Sequence, residues 1–278
     1  MSPEVGEVDE VAVEEGMRDD PDDTMALLVD LTAATDAKLR ALARRLAGRL
    51  FLDISRRGPV RPRGIGKIVE QPYRPDGGDL DMDASMEAII DAGGTSPGRS
   101  HGVDAERLRV RGWVKPGTAL CLLVDRSGSM GGKPLATSAV AAAAVAWRAP
   151  ADYSVLAFAK DVVVAKSQEL EKASERVVND VLSLRGFGTT DVAGALFAAA
   201  QQLSRSRAGR KITILLSDCR STVDGDPVAA ARGVDELMII APEGDSDEAE
   251  AFAQRVGARL TTVSGPSAVA DAIARLLD

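Results

Sequence analysis

The chain has 278 residues, 45% of them hydrophobic, enough to bury a full core in one large domain or two small ones. Aromatics make up only 3%, so Ala, Val and Leu must fill that core, and two cysteines exclude a disulfide framework or a Cys-based zinc site. The net charge of −8 is concentrated at one end: residues 1–24 hold ten acids against Arg18, leaving the remainder near +1.

Residues 1–23 are acidic and lack apolar periodicity, which predicts a disordered tail. From Thr24, the recurrence of Leu28, Leu31, Leu39, Leu42, Leu46 and Leu50 predicts one or two helices over residues 24–55, with Asp22 or Asp23 as the cap. Residues 38–67 carry ten Lys or Arg against Asp53. Its single aromatic, Phe51, is too few for a base-stacking platform, so the stretch reads as a solvated helix face and loop and not as a nucleic-acid surface.

Residues 68–118 are less regular. GGDLDMDASMEAIIDAG predicts a turn and one helix through Met86 and Ile90. Its DLDMD run lacks the spacing and closing Glu of a calcium loop, so Asp81 or Asp83 is assigned to helix capping. RLRVRGWVKP alternates like an edge strand. Together, residues 24–118 read as a helical N-terminal extension and linker.

From residue 119 the punctuation becomes regular. ALCLLVD, YSVLAFA with VVVAK, KITILLSD, DELMIIAP and RLTTV are strands, with PLATSAVAAAAVAWR, ASERVVNDVLSL, DVAGALFAAAQQLSRS, DPVAAARG, DEAEAFAQRVG and SAVADAIARLLD as the intervening helices. Continuous apolar strands alternating with helices predict an α/β fold: a doubly wound, mostly parallel six-stranded sheet covered on both faces over residues 119–278. Ligands of such sheets bind at the carboxyl ends of the strands.

The loop at one such end, in CLLVDRSGSMGGKPL, admits three chemistries. A phosphate-cradling loop needs G-x-x-x-x-G-K-[ST], but Ser127 stands at the first Gly and Pro134 at the hydroxyl. A phosphoryl-accepting Asp125 would want an acid two residues on, and Ser127 is not one. A metal site fits better. Asp125, Ser127 and Ser129 alternate through a tight turn, and two further loops end near the same edge, one with Thr189 and Thr190, the other with Asp218. All these donors are oxygens, which suits a hard cation such as Mg²⁺.

D-x-S-G-S, then T-D before a helix with Leu196 six residues after Thr190, then S-D closing a strand, resembles the von Willebrand factor type A (VWA) family. The resemblance implies a metal-ion-dependent adhesion site with Asp125, Ser127, Ser129, Thr190 and Asp218 as ligands, holding Mg²⁺ or alternatively Mn²⁺. It also implies that Asp191 caps the following helix. Family members often follow the second Asp with Gly, where this chain has Cys219.

Such a site leaves one coordination position for a partner's carboxylate, so the resemblance implies binding and not turnover: a non-enzyme with no catalytic residues. His101, the sole histidine, lies outside the predicted domain. RLRVRGWVKPGTALCLLVDRSGSM is similar to the CoxE-like entry into the domain. That likeness implies an adaptor for a MoxR-type AAA+ ATPase in metalloenzyme maturation or complex remodelling. A magnesium- or cobalt-chelatase-type subunit and a metal-dependent hydrolase are the alternatives. A cytoplasmic location, without membrane or nucleic-acid partners, is expected.

Overall fold

The computed structural model describes residues 8–34, 36–56, 67–72, 79–93, 107–114, 117–126, 132–186 and 188–277. Two compact units divide the chain: Met1–Arg61 with Thr118–Asp278, and Pro62–Gly117.

The larger unit is built on six strands: β4 (Thr118–Asp125), β5 (Tyr153–Phe158), β6 (Val162–Lys166), β7 (Arg210–Leu216), β8 (Glu236–Pro242) and β9 (Arg259–Val263). Their spatial order is β6-β5-β4-β7-β8-β9, and every pair is parallel except β5 with β6. Alternation along β4 sends its side chains to two separate cores. Leu120, Leu122 and Val124 join the helices α5 (Gly132–Arg148), α6 (Ser174–Leu182) and α10 (Pro266–Leu277). Ala119, Cys121 and Leu123 join α7 (Val192–Ser204) and α9 (Asp247–Val256), with α8 (Pro227–Ala231) alongside. The doubly wound α/β arrangement read from the sequence is therefore the one observed.

The chain leaves β4 toward β5 on one side of the sheet and returns to β7 on the other. A crevice opens where the winding direction switches, outside the carboxyl ends of β4 and β7. Asp125 ends β4, and Asp218 follows β7 by two residues.

Two helices that precede the sheet belong to the same unit. α2 (Pro21–Leu31) and α3 (Ala37–Ser55) pack over α5, and α3 also meets α6. Enclosed by the sheet, α2, α3, α6 and α10, helix α5 has no solvent face through its middle: residues 138–146 are all buried. That crowding explains its alanines, since only small side chains let so many neighbours approach one helix.

The acidic tail expected over residues 1–23 is not what the described part shows. Residues Glu10–Asp19 form helix α1, capped by Asp9, whose carboxylate accepts from Val11 N at 2.9 Å. Gly16 lets α1 approach Thr24 of α2, and Met17 packs against the main core. Local capping and a docking edge thus offset the poor apolar content.

The smaller unit is a three-stranded antiparallel sheet and not a linker. β1 (Lys67–Pro72) and β2 (Asp79–Leu80) flank β3 (Arg109–Val114), with α4 (Met82–Gly93) following β2. Asp81 performs its expected capping, accepting from Ala84 N at 3.2 Å while also pairing with Arg111 at 2.6 Å.

Candidate functional site

A cleft of about 330 Å³ occupies the carboxyl edge of the sheet. Asp125 and Asp218 both line it, together with Leu216 at the end of β7 and Ser217 after it, Pro242 from β8, Val263 at the end of β9 with Gly265 beyond it, and Lys133 from α5. The position follows from the winding: four parallel strands deliver their last residues to one place.

Asp125 is held by its neighbour strand. Ser217 Oγ donates to Asp125 Oδ2 at 2.5 Å and accepts from Cys219 N at 2.9 Å. One hydroxyl thus ties the β4 carboxylate to the turn that presents Asp218. Asp218 Oδ1 accepts from Arg220 N at 3.0 Å, and Arg220 pairs with Asp245 beyond β8. On the other side of Asp125, the backbone N–H of Arg126 donates to Phe158 O at 2.9 Å, joining the loop to the end of β5.

Cys219 has φ of 64°, the only non-glycine residue among those described in the left-handed region. The sharp turn after Asp218 takes that conformation, which glycine adopts without strain and other residues only at a cost. Burial, with the Asp218 and Asp125 carboxylates beside it, pushes its thiol up to about 12. Cys121, buried in β4, is likewise pushed up to about 12 by burial and is a small core hydrophobe.

Thr190 is 3% exposed and stitched to the segment after Asp218. Its N–H donates to Thr222 Oγ1 at 2.8 Å, and its carbonyl accepts from Thr222 N at 3.0 Å and Ser221 Oγ at 3.3 Å. Asp191 caps α7 as expected, accepting from Gly194 N at 2.8 Å, and its own N–H donates to Ala159 O at 2.8 Å.

Of the five sequence-predicted ligands, Asp125 and Asp218 line the same cleft, and Thr190 belongs to a loop bonded to the one that carries Asp218. Ser127 and Ser129 lie outside the described residues, as does His101. Among the described residues no group of three or more His, Cys, Asp or Glu could hold a metal ion. The donors here are two carboxylates and hydroxyls, a set that fits a hard, partly hydrated cation and no soft one. Sequence reasoning did not assign Ser217, Lys133 or Thr222. Ser217 had a signal, a hydroxyl closing an apolar strand before an acid; Thr222 had none.

Fold and site together define a VWA domain: a doubly wound sheet whose carboxyl edge gathers acids and hydroxyls from separate turns. The family profile described as "VWA domain containing CoxE-like protein" matches residues 55–275, most of the chain, and the chain belongs to that family. No curated protein matches it. Solved structures of similar fold include proximal thread matrix protein 1 from the mussel byssus, at 14% identity and TM-score 0.48, covering 59% of this chain and 48% of that one. A von Willebrand factor type A protein from Catenulispora acidiphila has 15% identity, TM-score 0.46 and coverages of 59% and 42%. The manganese-loaded TRAP protein of Plasmodium vivax has 16% identity, TM-score 0.45 and coverages of 59% and 72%. The chain thus spans about half the length of the first two. No helix among the described residues is long and apolar enough to cross a membrane.

Proposed function

We propose that this chain is a metal-dependent protein-binding module without catalytic activity, acting as an adaptor for a MoxR-type AAA+ ATPase in metalloenzyme maturation or complex remodelling. Asp125, Ser127, Ser129, Thr190 and Asp218 would hold Mg²⁺ or Mn²⁺, and the ion would accept a carboxylate from the partner. The observation that carries this reading is the convergence of Asp125 and Asp218, from adjacent strands, on one open cleft. A second support is the fixing of Asp125 by Ser217, which orients a donor before any ion arrives. Membership of the CoxE-like family supports the choice of an ATPase adaptor.

Calorimetric titration of Mg²⁺ and Mn²⁺ into the full chain and its Asp125→Ala variant tests the ligand assignment. Saturable binding to the parent and its loss in the variant are expected, with circular dichroism unchanged. Equal affinity in both would refute the assignment. Affinity purification in Mg²⁺ and then in chelator tests the partner, and an ATPase released by chelation is the expected result. Turnover of phosphoesters by the isolated chain would instead support a hydrolase.

A further inference from the structure

Lys133 is the one cation among the described residues that line the cleft. Its ammonium pairs with Asp23 of α2 at 2.6 Å. Both side chains stand in water, 51% and 66% exposed, so the pair is screened and readily exchanged. Asp20 and Asp22, from the same end of α2, add their negative field at Lys133.

The neighbouring acids of α2 are engaged differently. Asp22 Oδ1 accepts from Ser267 N at the start of α10 at 2.8 Å, and Asp30 Oδ1 accepts from Gly132 N at the start of α5 at 2.9 Å. These two contacts, with buried Met25, Leu28 and Val29 between them, fix α2 against the unit. Asp23 is therefore presented to Lys133 by a helix anchored near both ends, although its own contact is weak. Beside it the cleft wall is apolar, from Leu216, Pro242 and Val263.

We propose that Lys133 is a second anchor for the partner, and that Asp23 is a resident carboxylate which the partner displaces. The partner segment then carries two acids flanking an aliphatic residue: one acid for the ion, the aliphatic side chain for the apolar wall, the other acid for Lys133. This deepens the metal-dependent reading above and rests on it. A bound divalent ion and Lys133 give the cleft two positive points, and a segment bearing two acids matches both while a single acid matches one.

The test uses the full chain in Mg²⁺ and short capped peptides, one containing Glu-Leu-Glu and the other Glu-Leu-Gln or Gln-Leu-Glu, followed by fluorescence anisotropy at low and physiological salt. The parent is expected to prefer the diacid by about two- to five-fold. Lys133→Met should erase that preference and flatten the salt dependence. Asp23→Asn should tighten diacid binding by about two- to five-fold, because the internal competitor is gone. A Lys133→Met variant that keeps the preference, or an Asp23→Asn variant that binds more weakly, overturns the proposal. A parent that binds the monoacid only when Mg²⁺ is present, yet does not favour the diacid, overturns this proposal alone. A parent whose binding is indifferent to chelation overturns the metal-dependent reading and this proposal with it.

Discussion

Gly265 and Asp22 form a pair whose coupling can be worked out atom by atom. A methyl group added at Gly265 would lie 2.2 Å from Asp22 Oδ2 and 2.5 Å from its carboxyl carbon, so the carboxylate must leave. Its departure removes the hydrogen bond to Ser267 N and with it the cap of α10. Loss of such a cap costs about 1 kcal/mol, and Asp22→Ala should cost the same. Gly265 is not in the left-handed region, so alanine's backbone preferences are compatible with it. Once Asp22 is truncated the methyl has room, and Gly265→Ala should then stabilise by about 0.5 kcal/mol through the unfolded chain. The same gain acts in the parent, where it trims the cost of Gly265→Ala to about 0.5 kcal/mol, so the substitution changes sign with background and the double variant falls about 1 kcal/mol short of additive loss. Urea unfolding followed by circular dichroism measures all four proteins. An equal cost of Gly265→Ala in both backgrounds would show that Gly265 and Asp22 are not coupled.

Three further outcomes follow from the packing and charge of the larger unit. Ala143→Leu in α5 should destabilise by about 1–3 kcal/mol in the same assay, because no side of that helix can accept the extra volume; a neutral result would mean a solvent face exists. Cys219→Gly should be about 1 kcal/mol more stable than Cys219→Ala, since only glycine occupies φ of 64° without strain. The Arg210 guanidinium grips Glu236 through two contacts of 2.8 Å and holds its carboxyl below the ordinary 4.5. The folded value being the lower one, this stabilisation is complete above about 4.5 and is lost as pH falls through the depressed value. Both groups are partly exposed, so Glu236→Gln should cost only about 0.5 kcal/mol at neutral pH, with the difference vanishing in acid; a pH-independent difference would contradict the assignment.

The strand and helix order from residue 118 onward was legible because each buried strand is a continuous apolar run closed by a turn residue. The same logic found Asp125 and Asp218, which stand where such runs end. Helix α5 carried a signal that went unused: PLATSAVAAAAVAWR has no polar stripe, and a helix without one must be covered on every side. What covers it, α2 and α3, was legible as helices but not as part of the same unit, because docking depends on contacts between distant residues such as Asp30 with Gly132. Helix α1 was missed because acidic composition argues for disorder, whereas one Asp9 cap and the Gly16 approach to Thr24 act locally. In the small sheet RVRGWV was legible as a strand, although as an edge and not as the centre that β3 occupies, whereas KIVEQP mixes charge with short apolar steps and β2 is only two residues long.

In the proposed site Asp125, Thr190 and Asp218, with Ser127 and Ser129, share one divalent ion. Anomalous diffraction at the manganese edge from crystals grown with Mn²⁺ measures this most directly. One strong peak is expected in the cleft outside β4 and β7, within ligand distance of those side chains or of waters they hold. A peak bound elsewhere, or none in the cleft at saturating Mn²⁺, would contradict it.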